Sequence, residues 1–487
     1  MEPMTKQPST TQSTGAEPAG PGLQRILGVP DAAAIMISNM IGVGILTLPG
    51  LVAGSLGDLR WAFAAWALGG LISLAGALIH AELGSRFPQA GGDYVYLREA
   101  FGGLAAFLSG WVSFIIGFPG AIALSSAAAA NSLLDAAGPG MPKTPIVLIG
   151  LSLAILGGIT LVHSRGIHWG KRFQNGLVVL KLLVLGFIVG AGLFLAPGNP
   201  AGAAPQGGGP HPATAMFLIL FAYSGWNSAA YVAGEIRDPR RTLPRALVGG
   251  VLVVTALYLA VNFVYFRTVP PGEMGNNINI LGEVASRLLG EGGGRLVSLA
   301  LTFVFIGSAS AMVITGPRIY YAMAVDGNFP RALTVLGEKS RVPGRSLWLQ
   351  SLWAAAILLV GTALTGGGKV SETFDRIVSW TIFTILPFVA LTACAVFVLR
   401  GRDRREGRIP PFLVPGHPWT GAAFVLSILA IEAASIFVGV QTRLSGEFWA
   451  DRNRTNALIG CALVLSGFPV YALWRRRMRS GRGAVGE

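Results

Sequence analysis

Charged residues are scarce in this sequence. They make up 12% of its 487 residues, whereas a soluble domain normally carries about a quarter. Hydrophobic residues make up 52% and fall in blocks of roughly 20 residues, the length that crosses a hydrocarbon core. The alternating pattern of a membrane barrel is not seen. Because backbone groups in lipid must be satisfied internally, the sequence predicts an all-helical integral membrane protein.

Cysteine and histidine are also rare, with two and five copies. Cys394 and Cys461 lie within apolar blocks, where small core residues are more common than disulfides or metal ligands. The histidines do not cluster with acids into a catalytic site, so an integral membrane enzyme is a remote alternative. No metal or cofactor is expected. The net charge of +14 falls mainly in loops, which favours membrane topology over nucleic-acid binding.

The apolar blocks divide into about twelve segments of spanning length. Residues 1–25 precede them and are expected to form a disordered tail, because they are polar and rich in Pro, Ser, Thr and Gly. The predicted spans are 32–56, 61–86, 102–134, 145–163, 173–196, 212–235, 244–267, 293–324, 347–366, 374–399, 418–440 and 455–475.

Basic residues mark one set of loops. Alternate loops carry clusters such as Arg237, Arg240 and Arg241, or Arg402, Arg404 and Arg405, whereas LLDAAGPGMPKTP and LAPGNPAGAAPQGGGPHPA hold one Lys between them. The positive-inside rule therefore predicts that both termini lie in the cytoplasm. We expect the protein to lie in the plasma (inner) membrane.

Two spans contain residues that interrupt helices. The first reads NMIGVGILTLPG, with Gly42 and Gly44 at its centre and Pro49 after them, and the sixth reads FAYSGWNSA around Ser224 and Gly225. Glycines in membrane helices also serve close packing, and either break alone fits that explanation. The first and sixth spans are, however, equivalent positions of a five-plus-five repeat, where transporters place paired broken helices at the substrate site.

Four segments resemble one family of transporters. They are IGVGIL, AELGSRFPQAGGDYVYLREAFG, FAYSGWNSAAYVAGEIRDPRRTLPRAL and ASAMVITGPRIYYAMAVDGNFP. On these motifs the sequence resembles the amino acid–polyamine–organocation superfamily, nearest to bacterial relatives of the L-type amino acid transporters. Val43 stands where the family often has Ser, Ser224 where it often has Gly, and Gly234 replaces the first acid of a common Glu-Glu pair.

The resemblance implies a fold like that of the sodium-coupled leucine transporter. Residues 26–200 and 201–400 would form two inverted five-helix repeats, 401–475 two further helices and 476–487 a basic cytoplasmic tail. The implied function is sodium-independent, alternating-access transport of neutral L-amino acids, as an exchanger or proton-coupled symporter. A polyamine or cationic amino acid carrier is the closer alternative, although no acid is found beside either break.

The resemblance also implies a substrate site built on the two breaks. The substrate carboxylate would meet backbone at Gly42, Val43 and Gly44, and its ammonium would meet carbonyls of Met40, Ile41, Phe221 and Ser224. Phe221 would close the site from outside, unless it is an ordinary core residue. Gly225 and Asn227 would line the pocket from the sixth span, although Asn227 equally fits a helix–helix hydrogen bond. Ala121 and Ser125 would form the far wall.

Lys181 is the most informative ionisable residue, because a charge within a span is a functional hypothesis by default. Its position resembles a family lysine that stands in for the ion of sodium-coupled relatives, with Ser308 and Ser310 nearby. The alternative is a lysine that reaches the headgroups. Glu235, Arg237 and Asp238 are expected to form inner-gate salt bridges or, alternatively, a solvated loop. Glu432 in the eleventh span receives no function.

The resemblance also bears on partners. In animal L-type relatives, a cysteine of an extracellular loop links the transporter to a single-span glycoprotein. The corresponding loop, LLDAAGPGMPKTP, has no cysteine. We therefore expect no disulfide-linked heavy chain, and a chain that works as a monomer or non-covalent dimer with the bilayer and an amino acid as its partners.

Overall fold

A computed structural model describes residues 22–138, 140–196, 211–274, 280–364, 370–444 and 458–483. The predicted tail 1–25 therefore lies largely outside the described residues, as do residues 484–487 of the basic tail. Across the described ranges the secondary structure is helical, with a single isolated bridge between Leu27 and Ile236.

The helices follow the predicted spans in order. They are α1 (Val29–Met40), α2 (Val43–Leu56), α3 (Leu59–Arg86), α4 (Asp93–Phe101), α5 (Gly103–Val112), α6 (Phe118–Ala137), α7 (Pro145–Ser164), α8 (Ile167–Leu195), α9 (Pro212–Tyr223), α10 (Ser228–Tyr231), α11 (Pro239–Thr268), α12 (Pro271–Met274), α13 (Ile280–Val325), α14 (Gly344–Leu364), α15 (Val370–Glu406), α16 (Trp419–Leu444) and α17 (Gly467–Gly483). A π-helical turn, Ser113–Gly117, joins α5 to α6, and short 3-10 turns lie at Ala233–Glu235 and Arg331–Thr334.

Within the described ranges, eight helices are long and apolar enough to cross a membrane, and α1 with α2 adds a ninth as a bent pair. Helix α9 and the first part of α16 are shorter apolar helices, and α14 has 21 residues. Each of the twelve predicted spans thus coincides with a helix or an interrupted pair. The grouping into inverted repeats stays a prediction. Residues 365–366 and 455–457 of the predicted spans lie outside the described residues. Helix α17 continues to Gly483, into the segment predicted as a tail.

The first span breaks where the sequence predicts. Helix α1 starts with the Gly28 amide donating to Asp31 Oδ2 (2.8 Å), a cap that satisfies one of the orphan amides of the first turn. It ends at Met40, and α2 starts at Val43 at an angle of 43°. Ile41 (φ −77°, ψ 93°) and Gly42 (φ −141°, ψ −147°) are extended. The unwound residues are therefore Ile41 and Gly42.

The sixth span breaks at the matching place. Helix α9 ends at Tyr223, and Gly225 has φ +97°, a conformation that favours glycine. After the break the chain forms only α10 and a 3-10 turn before α11 begins at Pro239. The helix after this break is therefore much shorter than the one before it.

Ion pairs join the basic loops to each other and to helix ends at one end of the bundle. Arg86 pairs with Asp403 (2.7 Å) and Arg98 with Asp326 (2.6 Å). Lys171 pairs with Asp31 (2.6 Å). We call this end, which includes the loops 87–92, 236–238, 326–343 and 407–418, the basic end.

Candidate functional site

A cavity of about 200 Å³ lies between the two breaks. Residues on both sides of each break line it, and the second, third, eighth, tenth and eleventh spans and the start of α4 contribute the other lining residues. Nine predicted site residues are among the lining residues: Gly42, Val43, Ala121, Ser125, Phe221, Ser224, Gly225, Asn227 and Ser308. The structure thus brings together nine residues that the sequence scatters between Gly42 and Ser308.

The N-terminus of α2 faces this cavity through Gly42 and Val43. The first amides of a helix have no intrahelical partner, and the helix dipole favours negative charge there. This end of α2 is therefore suited to a carboxylate. The Val43 side chain supplies no hydroxyl, so such an anion would be held by backbone alone.

The predicted free carbonyls of the first break are already in contact with protein donors. The Tyr258 hydroxyl lies 2.6 Å from the Met40 carbonyl and 2.9 Å from that of Ala222. The Ile41 carbonyl accepts from Lys181 Nζ (2.5 Å) and Ser308 Oγ (2.9 Å). Neither Met40 nor Ile41 lines the cavity. In the sixth span the Phe221 carbonyl accepts the Ser224 amide (3.0 Å).

Lys181 is fully buried beside the first break. Besides Ile41, its ammonium donates to the Ser38 carbonyl (2.9 Å) and to Ser308 Oγ (3.0 Å), with Ser38 Oγ at 3.3 Å. The side chain therefore points into the bundle and does not reach towards the headgroups. Sequence reasoning missed Ser38. Ser310, predicted to lie near the ammonium, instead contacts Gln174 Oε1 (2.5 Å) and His163 Nε2 (2.8 Å).

Gly44 has the close-packing role that the sequence analysis considered as the alternative for the glycines of either break. A Cβ on Gly44 would lie 2.5 Å from Ala222 Cα in α9, and Gly44 is not a lining residue. At Gly225 a Cβ would lie 2.9 Å from Asn39. Asn39 Nδ2 donates to Ser228 Oγ, which joins the two breaks directly. Close approach of the two backbones therefore explains the glycine at Gly44.

The cavity contains an acid that the sequence analysis did not place there. Asp93, at the start of α4, lines the cavity at its inner part. Its Oδ1 lies 2.6 Å from His80 Nε2, and its Oδ2 accepts from the Tyr231 hydroxyl (2.7 Å) and Asn227 Nδ2 (3.1 Å). The expectation that no acid lies near the breaks is therefore wrong, although each oxygen of this acid already has a protein partner.

The three predicted gate residues lie in different environments. Glu235 is buried and pairs with Arg318 of α13 (2.9 Å). Its carbonyl accepts the amides of Ile26 and Leu27 (2.9 Å each), so the segment before α1 is fastened to the sixth span. Arg237 and Asp238 are exposed, and the Asp238 carboxylate lies 3.8 Å from Arg241 of the same segment. The contacts at Glu235 join the segment before α1, the sixth span and α13.

Aromatic residues enclose the cavity. Phe221 lines it from α9, and Phe118 lies edge-on to Tyr231 with ring centroids 5.5 Å apart. Trp226 packs edge-on against Phe424 (5.8 Å). Ala121 and Ser125 lie on the facing wall in α6, where their small side chains leave room for a ligand.

A helical bundle with a central cavity between two interrupted helices is the architecture of a secondary transporter. The comparison with known families agrees. The chain belongs to the amino acid permease family, whose model matches residues 27–451. This family lies within the amino acid–polyamine–organocation superfamily, and the chain is a transporter and not an enzyme.

Curated relatives are amino acid transporters. The chain is 32% identical to the serine/threonine exchanger SteT of Bacillus subtilis over 466 residues, which cover 94% of this chain and 99% of the relative. It is 33% identical to the human Asc-type amino acid transporter 1 over 70% of this chain and 67% of the relative. It is 28% identical to the mouse b(0,+)-type amino acid transporter 1 over 80% of each chain.

Proposed function

We propose that this transporter carries neutral L-amino acids across the plasma membrane by alternating access without sodium. The observation that carries the proposal is the contact of Lys181 with the unwound carbonyl of Ile41. A buried ammonium at this carbonyl supplies the positive charge that a bound cation would otherwise bring to the unwound backbone.

The two breaks offer complementary groups to an amino acid. The N-terminus of α2, which reaches the cavity at Gly42 and Val43, offers backbone donors for the carboxylate. The Ser224 region and the amide oxygen of Asn39, which has no hydrogen-bond partner among the described residues, are acceptors for the ammonium. Phe221 would close the site on the side away from the basic end. Recognition through backbone is consistent with Val43 in place of a hydroxyl residue.

A neutral side chain fits the electrostatics of the cavity. Asp93 is the acid that could attract a cationic substrate, but His80, Asn227 and Tyr231 already occupy its oxygens. The similarity to the serine/threonine exchanger SteT supports a small neutral substrate. The similarity to a b(0,+)-type transporter is the reason to test cationic amino acids as well.

The proposal also includes the orientation of the protein in the membrane and its assembly state. The basic loops support a cytoplasmic location for the basic end, and with it for both termini. The loop 138–144 lacks cysteine, so the chain would act without a disulfide-linked heavy chain, as a monomer or a non-covalent dimer. Opening towards the cytoplasm would then separate Glu235 from Arg318 and Leu27 from Ile236.

A competition experiment tests the substrate class. Proteoliposomes loaded with unlabelled serine take up labelled serine in sodium-free buffer, and unlabelled competitors are added outside. We expect serine, threonine, alanine or leucine to reduce uptake, and arginine and putrescine to have no effect. Competition by arginine or putrescine alone would contradict the proposal and favour the cationic alternative.

A further inference from the structure

The third span contains a wide turn at the wall of the cavity. Gly103–Ala137 is long and apolar enough to be one membrane span, yet Ser113–Gly117 forms a π-helical turn in which the Phe118 amide donates to the Ser113 carbonyl. Single π-helical turns are rare and occur frequently at functional sites. Ser113 and Gly117 both line the cavity, so this turn is part of its wall.

Pro119 accounts for the wide turn. In an α-helix the amide of residue 119 would donate to the Ile115 carbonyl, but proline has no N–H and its ring clashes with the carbonyl four residues earlier. The Ile115 carbonyl accepts instead from Nε1 of Trp353 in α14 (2.9 Å). The Tyr320 hydroxyl of α13 donates to the Ser113 carbonyl (3.1 Å). Neighbouring helices thus supply donors to the turn inside a span, where lipid offers none.

The same two side chains hold the large residue of the turn. Phe114 stacks on Trp353 with ring centroids 6.1 Å apart, and it lies edge-on to Tyr320 at 5.2 Å. Phe114 is not among the lining residues of the cavity, whereas Gly117 is. The turn therefore packs its aromatic residue against α13 and α14 and presents its glycine to the cavity.

The wide turn keeps a row of small residues on the cavity wall. Residues four apart in an uninterrupted α-helix drift around the axis by about 40° per step, so five of them spread over about 160°. A π-helical turn holds more residues per turn and offsets part of this drift. The lining residues at this spacing are Ser109, Ser113, Gly117, Ala121 and Ser125.

We propose that Trp353 is a positioning residue for substrate selectivity: it holds the wide turn that Pro119 imposes, and this turn sets the size of the substrate side chain that the cavity accepts. The proposal rests on the proposed function. A Cβ on Gly117 would lie 3.1 Å from Cδ1 of Ile385 in α15, and both residues line the cavity. A larger residue on this part of the wall would therefore leave less space for the substrate side chain.

Pro119→Ala tests the turn. The substitution supplies the missing amide and removes the ring, so the turn can close as an α-helix and rotate Ser113 and Gly117 out of the row. In sodium-free serine counterflow we expect competition by leucine to weaken about tenfold or more relative to competition by serine, the effect of a methylene-sized change in a pocket.

Pro145→Ala is the matched control for this substitution. Pro145 lies at the first position of α7, where a helix needs no amide donor, so the ratio of leucine to serine competition should stay at the wild-type value. An unchanged ratio in Pro119→Ala would overturn the positioning role and leave the proposed function intact. Absence of serine counterflow in the wild-type protein would instead count against the proposed function.

Trp353→Phe, made with and without Pro119→Ala, tests the role of the indole. Phenylalanine keeps an aromatic ring but cannot donate to Ile115. With Pro119 present we expect lower thermal stability in detergent and weaker competition by leucine relative to serine. With alanine at position 119 the helix supplies the donor, and Trp353→Phe should change both quantities much less. Equal effects in the two backgrounds would contradict the proposal.

Trp348→Phe is the control on the same helix. Trp348 is also exposed, and it lies about 140° around the helix axis from Trp353, so it faces a different side of α14. Its substitution should leave the ratio of leucine to serine competition unchanged. A shift as large as that of Trp353→Phe would show that the ratio responds to any tryptophan lost from this helix.

Gly117→Ala tests the wall with every donor of the turn in place. We expect it to weaken leucine binding more than serine binding, whereas Gly176→Ala, whose Cβ has nothing within 4 Å, should affect neither. Where a variant no longer transports, equilibrium binding of labelled serine and labelled leucine in detergent gives the same comparison. Equal loss of both ligands in Gly117→Ala would overturn the proposal.

Discussion

Gly44 and Ala222 lie where α2 crosses α9, and their contact decides how closely the two breaks can approach. The missing Cβ lets the two backbones meet, because a methyl group there would lie 2.5 Å from Ala222 Cα. Backbone atoms cannot move aside as a flexible side chain can. A single methyl group at this position should therefore widen the site that both breaks build.

Gly44→Ala tests this contact. We expect a loss of stability of about 1–3 kcal/mol from overpacking and loss of serine counterflow, because the two breaks are forced apart. Gly176→Ala in α8 is the control, since a Cβ there has nothing within 4 Å and alanine favours helix. Thermal unfolding in detergent and counterflow measure the two effects. A Gly44→Ala protein as stable and active as Gly176→Ala would contradict the packing role.

Lys181 acts through its charge and its donors. The ammonium satisfies the carbonyls of Ser38 and Ile41 and the hydroxyl of Ser308 in a completely buried position. Hydrogen bonds to charged groups contribute about 1.5–3 kcal/mol. Removing the ammonium should therefore destabilise the unwound segment and not only remove a charge.

Lys181→Met keeps the length of the side chain but removes every donor. We expect the rate of serine counterflow to fall by a factor of about ten or more, since about 1.4 kcal/mol corresponds to tenfold. Lys143→Met is the control, because Lys143 is half exposed and pairs with Asp135 at the opposite end, where such pairs contribute little. Wild-type counterflow by Lys181→Met would show that the ammonium is dispensable.

At the scale of elements, helix α11 contacts the main chain beside both breaks. Tyr258 is buried, and its hydroxyl reaches the Met40 carbonyl of the first span and the Ala222 carbonyl of the sixth. A hydroxyl has one proton, so it donates to one carbonyl at a time. Helix α11 thereby supports the unwound segments without closing the cavity.

Tyr258→Phe tests this support. We expect a loss of about 1–3 kcal/mol, because a buried carbonyl loses its donor, together with weaker serine binding. Tyr265→Phe is a matched control on the same helix, since Tyr265 is equally buried and its hydroxyl has no hydrogen-bond partner among the described residues. Thermal unfolding and a serine-binding isotherm measure the two variants. Equal effects of the two substitutions would contradict the role given to Tyr258.

Local patterns were enough to predict the spans and their breaks. Long apolar blocks require helices in lipid, and glycine in the middle of a block marks a place where the helix can end. The same patterns could not say what each glycine faces. Gly42 faces the cavity and Gly44 faces Ala222, although the two are separated by one residue and look alike in sequence.

At the scale of the whole molecule, the unpredicted contacts join distant parts of the chain. Tyr231 and Asp93 are 138 residues apart, and Tyr258 and Met40 are 218 apart. No periodicity in one segment carries information about such a partner. Asp93 follows a glycine loop that the sequence analysis used only as a family motif. The same motif also holds Glu82 and Glu99, so the sequence alone does not single out Asp93.

Contacts between distant segments of the chain also hold the basic end together. The segment before α1, the end of the sixth span and α13 meet at Glu235 and Arg318. A small cavity of about 20 Å³ lies among these residues, with His163 and Lys171 on its wall. Because a buried ion pair that loses one member is costly, we expect these contacts to separate together when the basic end opens.

Counterflow in proteoliposomes with sodium omitted throughout is the most direct test of sodium-independent transport of neutral amino acids. Vesicles are loaded with unlabelled serine, alanine and leucine, and a trace of labelled serine is added outside. We predict transient accumulation of labelled serine above its equilibrium level, and this accumulation should not increase when sodium is supplied. Accumulation that appears only with sodium would contradict the role of Lys181, and no accumulation with or without sodium would contradict a neutral amino acid carrier.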